Sequence, residues 1–449
     1  MILGVIADDF TGATDVASML VRAGMRTIQV IGVPDVAPQL QRGAPHRPPE
    51  GAHPAWGGPA PDGPAPDADA IVVALKTRTV PAVDAVRESL AALRWLQTAG
   101  MRQCYFKYCS TFDSTPAGNI GPVTDALMHA LGADFAIACP AFPENGRTIF
   151  RGHLFVGDEL LSDSGMRLHP LTPMTDANLV RVLQAQTAQR VGLVRFDAVA
   201  QGADAVRDCI AALRRDGVTI AIADATSNDD LRTLAAACAD LPLLTAGSGL
   251  GLGLPAIYAE RGWLTPHARA AQLDPVHGAS AVLSGSCSLA TNAQVQRWRE
   301  AERPAFAVDP RALARGEPVA DRALAWARAQ KAGAAVLVYA TAAVDELRAV
   351  QSELGAMQAG ALVEACLAQI ARGLVDAGVR RLVVAGGETS GAVVQALGVT
   401  QLRIGAPICP GVPWTQADIG PEGARLHLAL KSGNFGGPDF FMEALRADA

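Results

Sequence analysis

Two adjacent carboxylates, Asp8 and Asp9, stand directly behind the hydrophobic run that opens the chain, and Thr11-Gly12-Ala13-Thr14-Asp15 follows within a few positions. Adjacent acids just past a strand can bind hydroxyls, accept a proton or hold a metal. The plainer alternative is that Asp9, Thr11 or Thr14 caps the next helix. Cations recur in two similar places: Lys76-Thr77-Arg78 after the aliphatic run 71–75, and Lys107 at the head of Lys107-Tyr108-Cys109-Ser110-Thr111-Phe112-Asp113-Ser114. Lys and Arg there suit the carboxylate or phosphate of a small ligand, Arg through two parallel hydrogen bonds. Alternatively they pair with Asp8 and Asp9 as structural salt bridges. A ligand with hydroxyls and an anionic end satisfies both the acids and the cations. The polar loop 140–148, with Gly152 and His153, either completes such a pocket or covers the sheet.

A different chemistry belongs to the second half. After Leu382-Val383-Val384-Ala385 comes Gly386-Gly387-Glu388-Thr389-Ser390-Gly391, a Gly-Gly turn at a helix start. Its backbone N–H groups and the positive helix end make a phosphate cradle. Two more Gly/Ser turns accompany it, at Ser284-Gly285-Ser286-Cys287-Ser288 and at Lys431-Ser432-Gly433-Asn434-Phe435-Gly436-Gly437. Three such turns in one half, with substrate-type polar groups in the other, point to a nucleotide and a small molecule. No G-x-x-x-x-G-K-[ST] or protein-kinase signature is present, and Ala246-Gly247-Ser248-Gly249-Leu250-Gly251 fails the dinucleotide spacing. G-x-S-x-G and H-E-x-x-H are absent as well.

The elements that must position these residues alternate between short aliphatic runs and longer Ala/Leu-rich amphipathic segments, which predicts an α/β chain with mainly parallel sheets. Strands are expected near 2–7, 27–31, 70–75, 103–107, 134–138, 191–194, 218–223, 242–245, 279–283, 304–308, 334–339, 380–385 and 401–405. Helices in the second half are expected near 288–301, 320–332, 358–377 and 389–397. With 449 residues, two large domains are expected, 1–265 and 276–449, parted where Thr265-Pro266 and Asp274-Pro275 interrupt regular structure, with a ligand cleft between them. Residues 34–67, rich in Pro, Gly, Ala and Asp, are expected to be a mobile surface insertion. The uncharged run 242–259 is read as a buried strand, a Gly-rich turn and a helix rather than a membrane span.

Half the residues are hydrophobic and 18% are charged, with 38 Lys plus Arg against 44 Asp plus Glu, a net charge of -6. That excludes a disordered chain and, with no basic stripe, argues against nucleic acid or a membrane as partner. Eight scattered cysteines without a C-x-x-C pair or metal spacing, and an N-terminus without a secretory pattern, point to the cytoplasm.

The stretches A-D-D-F-T-G-A-T-D, F-K-Y-C-S-T-F-D-S-T-P-A-G-N-I-G-P, C-P-A-F-P-E-N-G-R-T and A-G-G-E-T-S-G, in this order, resemble the four-carbon acid sugar kinase family over essentially the whole chain except the 34–67 insertion. F-K-Y-C-S-T-F-D-S-T, G-H-L-F-V-G-D and H-P-L-T-P-M-T-D are most similar to its branch acting on 3-oxo-tetronate, with phosphorylation of D-threonate or D-erythronate as the alternative. The resemblance implies an ATP-dependent kinase acting on the 4-hydroxyl of a four-carbon sugar acid, the acid in the N-terminal domain and the nucleotide in the C-terminal one. It carries the nucleotide site onto Ser284, Gly386, Gly387, Glu388, Thr389 and Gly433. On the substrate side, Asp8 or Asp9 takes the base role with Asp113 in reserve, Arg78 and Lys107 take the carboxylate, and Mg²⁺ bridges the ATP phosphates with its protein ligands unassigned. A homo-oligomer is left open. Two further classes compete: a sugar-acid-binding protein without turnover, which has no need of three phosphate turns, and a nicotinamide-dependent dehydrogenase, which lacks its fingerprint.

Overall fold

The computed structural model describes residues 1–34, 68–169, 172–331, 333–420 and 423–446. The Pro/Gly-rich insertion, from residue 35 to 67, lies outside the described residues. The chain divides into two compact units, Met1–Ala271 and Gln272–Ala449.

In the first unit the strands are β1 (Leu3–Ala7), β2 (Thr27–Ile31), β3 (Ala70–Ala74), β4 (Gln103–Lys107), β5 (Ala136–Cys139), β6 (Arg147–Phe150), β7 (His153–Val156), β8 (Glu159–Leu160), β9 (Val191–Val194), β10 (Ile220–Ala223) and β11 (Leu243–Ala246). The helices are α1 (Phe10–Arg22), α2 (Ala82–Thr98), α3 (Ile120–Leu131), α4 (Leu179–Gln184), α5 (Phe196–Val199), α6 (Ala203–Arg215), α7 (Asn228–Cys238) and α8 (Leu254–Glu260). Eight strands form one parallel sheet in the order β2-β3-β1-β4-β11-β5-β10-β9. The continuous aliphatic runs are explained by burial: every residue of β1, β3 and β4 is buried, as expected where helices cover both faces. Because the chain runs from β1 out to β2 and β3 and then crosses to β4, the sheet changes winding direction at β1, and ligands collect at such points. The 242–259 run divides into β11, a 3₁₀ turn (Gly249–Leu252) and α8.

The second unit contains β12 (Ala279–Ser284), β13 (Ala305–Ala307), β14 (Val336–Tyr339), β15 (Val379–Ala385), β16 (Gln401–Cys409), β17 (Val412–Ile419) and β18 (Ala424–Lys431). Its helices are α9 (Leu289–Glu300), α10 (Pro310–Ala314), α11 (Val319–Arg328), α12 (Val344–Leu354), α13 (Ala356–Asp376), α14 (Gly387–Ala396) and α15 (Phe440–Ala444). The strand order β13-β14-β12-β15-β18-β17-β16 is parallel as far as β18 and antiparallel through β17 and β16. Trp298, Phe440 and Phe441 are buried against Val282, Leu337 and Val383, and each fully buried large side chain contributes about 1.5–3 kcal/mol.

Two groups of strands depart from the sequence expectation. β6, β7 and β8 form a small antiparallel sheet inside the polar 140–160 segment, where short, half-exposed strands carry no aliphatic run to mark them. β17 and β18 were also not expected, although Ala-Arg-Leu-His-Leu-Ala-Leu-Lys alternates with period two over much of its length. Among the described residues no single helix is long and apolar enough to cross a membrane.

Candidate active site

Ala7 pairs in register with Ala74 of β3 and Lys107 of β4, so the residues just past three strand ends converge. The backbone stitches them together: Asp8 donates its N–H to the Lys107 carbonyl at 3.0 Å, and Thr77 and Arg78 donate theirs to the Asp8 carbonyl at 2.9 and 3.2 Å. The Arg78 guanidinium forks onto Asp8, Nε to Oδ2 at 3.0 Å and Nη2 to Oδ1 at 2.8 Å, and Nη2 also meets Asp9 Oδ1 at 2.7 Å. Its Nη1 stands 3.8 Å from Asp113 Oδ2. Asp9 caps α1 as well, accepting the Gly12 N–H at 3.1 Å and the Thr11 hydroxyl at 2.8 Å. The capping and salt-bridge alternatives are therefore both realised within the same cluster.

The two acids differ. Burial pushes the Asp8 carboxyl up against the opposing pull of Arg78, and its side chain is only 8% exposed. Burial also acts on Asp9, but Arg78, Lys107, the Thr11 hydroxyl and the Gly12 N–H outweigh it and hold this carboxyl below its ordinary value. Asp9 is 24% exposed and therefore reachable. Lys107, 3% exposed, donates from Nζ to the Tyr108 carbonyl at 2.8 Å and has no carboxylate within 4 Å among the described residues. A methyl group at Gly12 would overlap Asp9 Oδ1 and lie 2.8 Å from Lys107 Nζ, so this glycine keeps open the space between carboxylate and ammonium.

The loop after β4 supplies Asp113, whose Oδ1 accepts the Thr111 hydroxyl at 2.5 Å. Phe112 between them is a buried non-glycine residue at φ 52, packed edge-on against Tyr108 at 5.3 Å. Two positioning residues escaped the sequence reading. Asn119 holds the turn that presents Arg78, its Nδ2 donating to the Thr77, Arg78 and Val80 carbonyls at 2.7, 3.2 and 2.9 Å. Asp15, buried on α1, accepts the Ser248 hydroxyl at 2.5 Å, so the Gly-rich turn that fails as a dinucleotide fingerprint anchors the helix instead. The 140–148 loop closes on its own side through Glu144, which bonds Arg22 at 3.0 Å and Asn228 at 3.0 Å.

In the second unit a cavity of about 1110 Å³ is lined by all three Gly/Ser turns, including Gly285, Ser286, Gly386, Gly387, Thr389 and Gly433. The apolar side chains of Val308, Tyr339, Leu347, Val350 and Val363 also line it. The turns are bonded to one another at the strand ends. Gly285 and Ser286 donate to the Ala385 carbonyl at 3.0 and 3.2 Å, Gly386 donates to the Lys431 carbonyl at 2.8 Å, and Ser288 Oγ donates to the Gly433 carbonyl at 2.6 Å. Gly386, at φ 123, occupies a conformation that side-chain-bearing residues avoid. Through it the chain enters α14, whose first residues Gly387, Glu388 and Thr389 line the cavity, with Glu388 exposed. Ser284 lies one position below this lining, fully buried, its hydroxyl 2.6 Å from that of Thr341, which does line the cavity. A volume of this size, with donors at three turns and apolar side chains within a mixed lining, suits a nucleotide. Among the described residues no group of three His, Cys, Asp or Glu side chains is placed to hold a metal ion.

A family model described as a sugar-binding N-terminal domain matches residues 3–254, and one described as a nucleotide-binding C-terminal domain matches residues 281–441. The chain is 61% identical to a 3-oxo-tetronate kinase of Cupriavidus necator, over 99% of this chain and 96% of that one. It is also 61% identical to a 3-oxo-tetronate kinase of Pseudomonas fluorescens, with the same coverage of each. A crystal structure from Salmonella typhimurium LT2, provisionally described as a tRNA synthase, superposes with a TM-score of 0.82 at 43% identity, covering 99% of this chain and 98% of that one. The chain belongs to the four-carbon acid sugar kinase family.

Proposed function

We propose that the chain transfers the γ-phosphoryl group of ATP to the 4-hydroxyl of 3-oxo-tetronate, giving 3-oxo-tetronate 4-phosphate and ADP. The observation that carries this reading is the 61% identity, over nearly the full length, to relatives named for that activity. A tRNA-directed activity finds no support in a chain of net charge -6 without a basic stripe.

In this reading the first unit holds the sugar acid. Lys107 takes its carboxylate, having donor capacity that no carboxylate among the described residues uses. Arg78, largely committed to Asp8 and Asp9, contributes through Nη1 and fixes the two acids relative to each other. Asp9 orients the 4-hydroxyl and takes its proton, since at 24% exposed it is the more reachable of the two acids, against 8% for Asp8. A carboxyl held below its ordinary value serves here, because phosphoryl transfer depends more on alignment than on a strong base. The 4-oxygen attacks the γ-phosphorus in line, the bond to the bridging oxygen breaks, ADP departs with that electron pair, and the proton passes from Asp9 to solvent. Asp113 stands ready to hold a substrate hydroxyl.

The second unit binds ATP, with Gly386, Gly387, Glu388, Thr389 and Gly433 about the phosphates and Ser284 supporting them from below through Thr341. Bound with the nucleotide, Mg²⁺ would neutralise phosphate charge. The eight cysteines, none in a disulfide, suit a reducing cytoplasm. The test is a coupled ADP-release assay with MgATP against 3-oxo-tetronate and the D and L forms of threonate and erythronate. The expected result is a kcat/KM for the oxo-acid about 100-fold or more above the others. Preferred turnover of threonate or erythronate contradicts the substrate assignment.

A further inference from the structure

Lys431, the last residue of β18, is fully buried. Its Nζ donates to three neutral oxygens: the Thr291 hydroxyl at 3.1 Å, the Ser432 carbonyl at 3.0 Å and the Gly433 carbonyl at 3.0 Å. The ring of Phe440 lies 5.9 Å away. Among the described residues no carboxylate comes within 4 Å of it. A buried ammonium without a counter-charge is costly, and chains rarely place one where nothing compensates it.

Its position supplies the reason. The Gly433 carbonyl accepts not only from Lys431 but from Ser288 Oγ at 2.6 Å and Thr291 Oγ1 at 2.8 Å, so the peptide at this cavity-lining residue is held from three directions. The backbone carbonyl of Lys431 receives the Gly386 N–H, so one residue joins two of the three phosphate turns. We propose that Lys431 is a positioning residue of the nucleotide site: its ammonium pins the Gly433 peptide and supplies, from beneath the turns, the positive charge that the nucleotide phosphates complete. With all three protons committed to the turn, it acts through Gly433 and through its field, not by touching the nucleotide. This inference rests on the reading of the cavity as the nucleotide site.

The charge state follows. Burial pushes the Lys431 ammonium down to about 8. The titratable group acting on it is the Cys409 thiol of β16, whose ionised form raises it. α9 presents the Thr291 hydroxyl and α15 the Phe440 ring, while the charged pair Arg297–Asp439 of α9 and the α15 cap bond each other at 2.9 Å. An arriving polyphosphate therefore draws a proton onto Lys431.

The test is calorimetric titration of the full chain with ADP at pH 8 in Tris and in HEPES, two buffers of different protonation enthalpy. ADP is fully ionised there, so proton uptake reports on the protein. Wild type is expected to take up roughly half a proton per ADP at pH 8 and about a tenth at pH 7, where the phosphate is still largely ionised. Lys431→Met is expected to bind ADP about tenfold more weakly without uptake, and to raise the KM for ATP while leaving the KM for the sugar acid unchanged. Wild type that binds ADP with no uptake at pH 8 overturns the inference, and so does a folded Lys431→Met that matches wild type in affinity and uptake. Should the variant fail to fold, the wild-type pH series decides alone. Wild type that binds no ADP overturns the nucleotide reading of the cavity and the inference with it.

Discussion

In the proposed reading the first unit meets its ligand with formal charge, the second with backbone. Around the ends of β1, β3 and β4, Arg78 binds Asp8 and Asp9 and stands near Asp113, while the Lys107 ammonium faces Asp9 across Gly12. About the ends of β12, β15 and β18, glycine turns, hydroxyls and the start of α14 line the cavity, with one buried lysine behind them. A small sugar acid carries one localised charge and several hydroxyls, which directed ionic groups can read. A polyphosphate spreads its charge over many oxygens and must leave after transfer, and neutral N–H donors with a helix end hold it without a tight ion pair. The same kind of place in a parallel sheet has thus been fitted out in two chemically different ways.

The largest effect that would sharpen this contrast is expected from Asp9→Asn. It should lower kcat about 10²–10⁴-fold while leaving ADP affinity unchanged, in steady-state kinetics alongside calorimetry on folded protein. Full activity would remove Asp9 from the chemistry. Next comes Lys107→Met, expected to raise the KM for the sugar acid about 10–100-fold, the cost of a charge-assisted hydrogen bond, with the KM for ATP within about twofold of wild type. Gly386→Ala should do the reverse. At φ 123 a side chain costs about 1–3 kcal/mol, so the KM for ATP should rise about 5–100-fold and that for the acid stay put.

The smallest effect is one of pH. Because the folded-state value of Lys431 lies near 8, below its ordinary value, the unfolded chain binds the extra proton between the two, and this group's contribution to stability rises as pH climbs through that window. Thermal melts from pH 8 to 10 should show wild type gaining on Lys431→Met. A difference that stays flat would place the lysine elsewhere on the scale.

How much of this was legible beforehand depended on whether the signal was local. The hydrophobic runs of β1, β3 and β4 mark their own positions, and the acids and cations at their ends could be named from the chain alone. Arg78 shows the limit. Whether it binds a ligand or pairs with Asp8 turns on a contact between residues 70 positions apart, which strand order decides and sequence spacing does not. Asn119 is hidden for the same reason, since its amide serves carbonyls about 40 positions earlier. Lys431 was visible only as the start of a Gly/Ser turn. Its burial comes from β18 lying inside the sheet between β15 and β17, and the Arg and His of that strand's alternating pattern do not announce an interior strand.

The central claim is that the two ligands are held by separable chemistries, one ionic in the first unit and one built from backbone in the second. The most direct measurement is a crossed calorimetric titration of Lys107→Met and Gly386→Ala, each with ADP and, in the absence of nucleotide, with the sugar acid. The account predicts that Lys107→Met loses the acid and keeps ADP, while Gly386→Ala loses ADP and keeps the acid. Loss of ADP by Lys107→Met, or loss of the acid alone by Gly386→Ala, would contradict it.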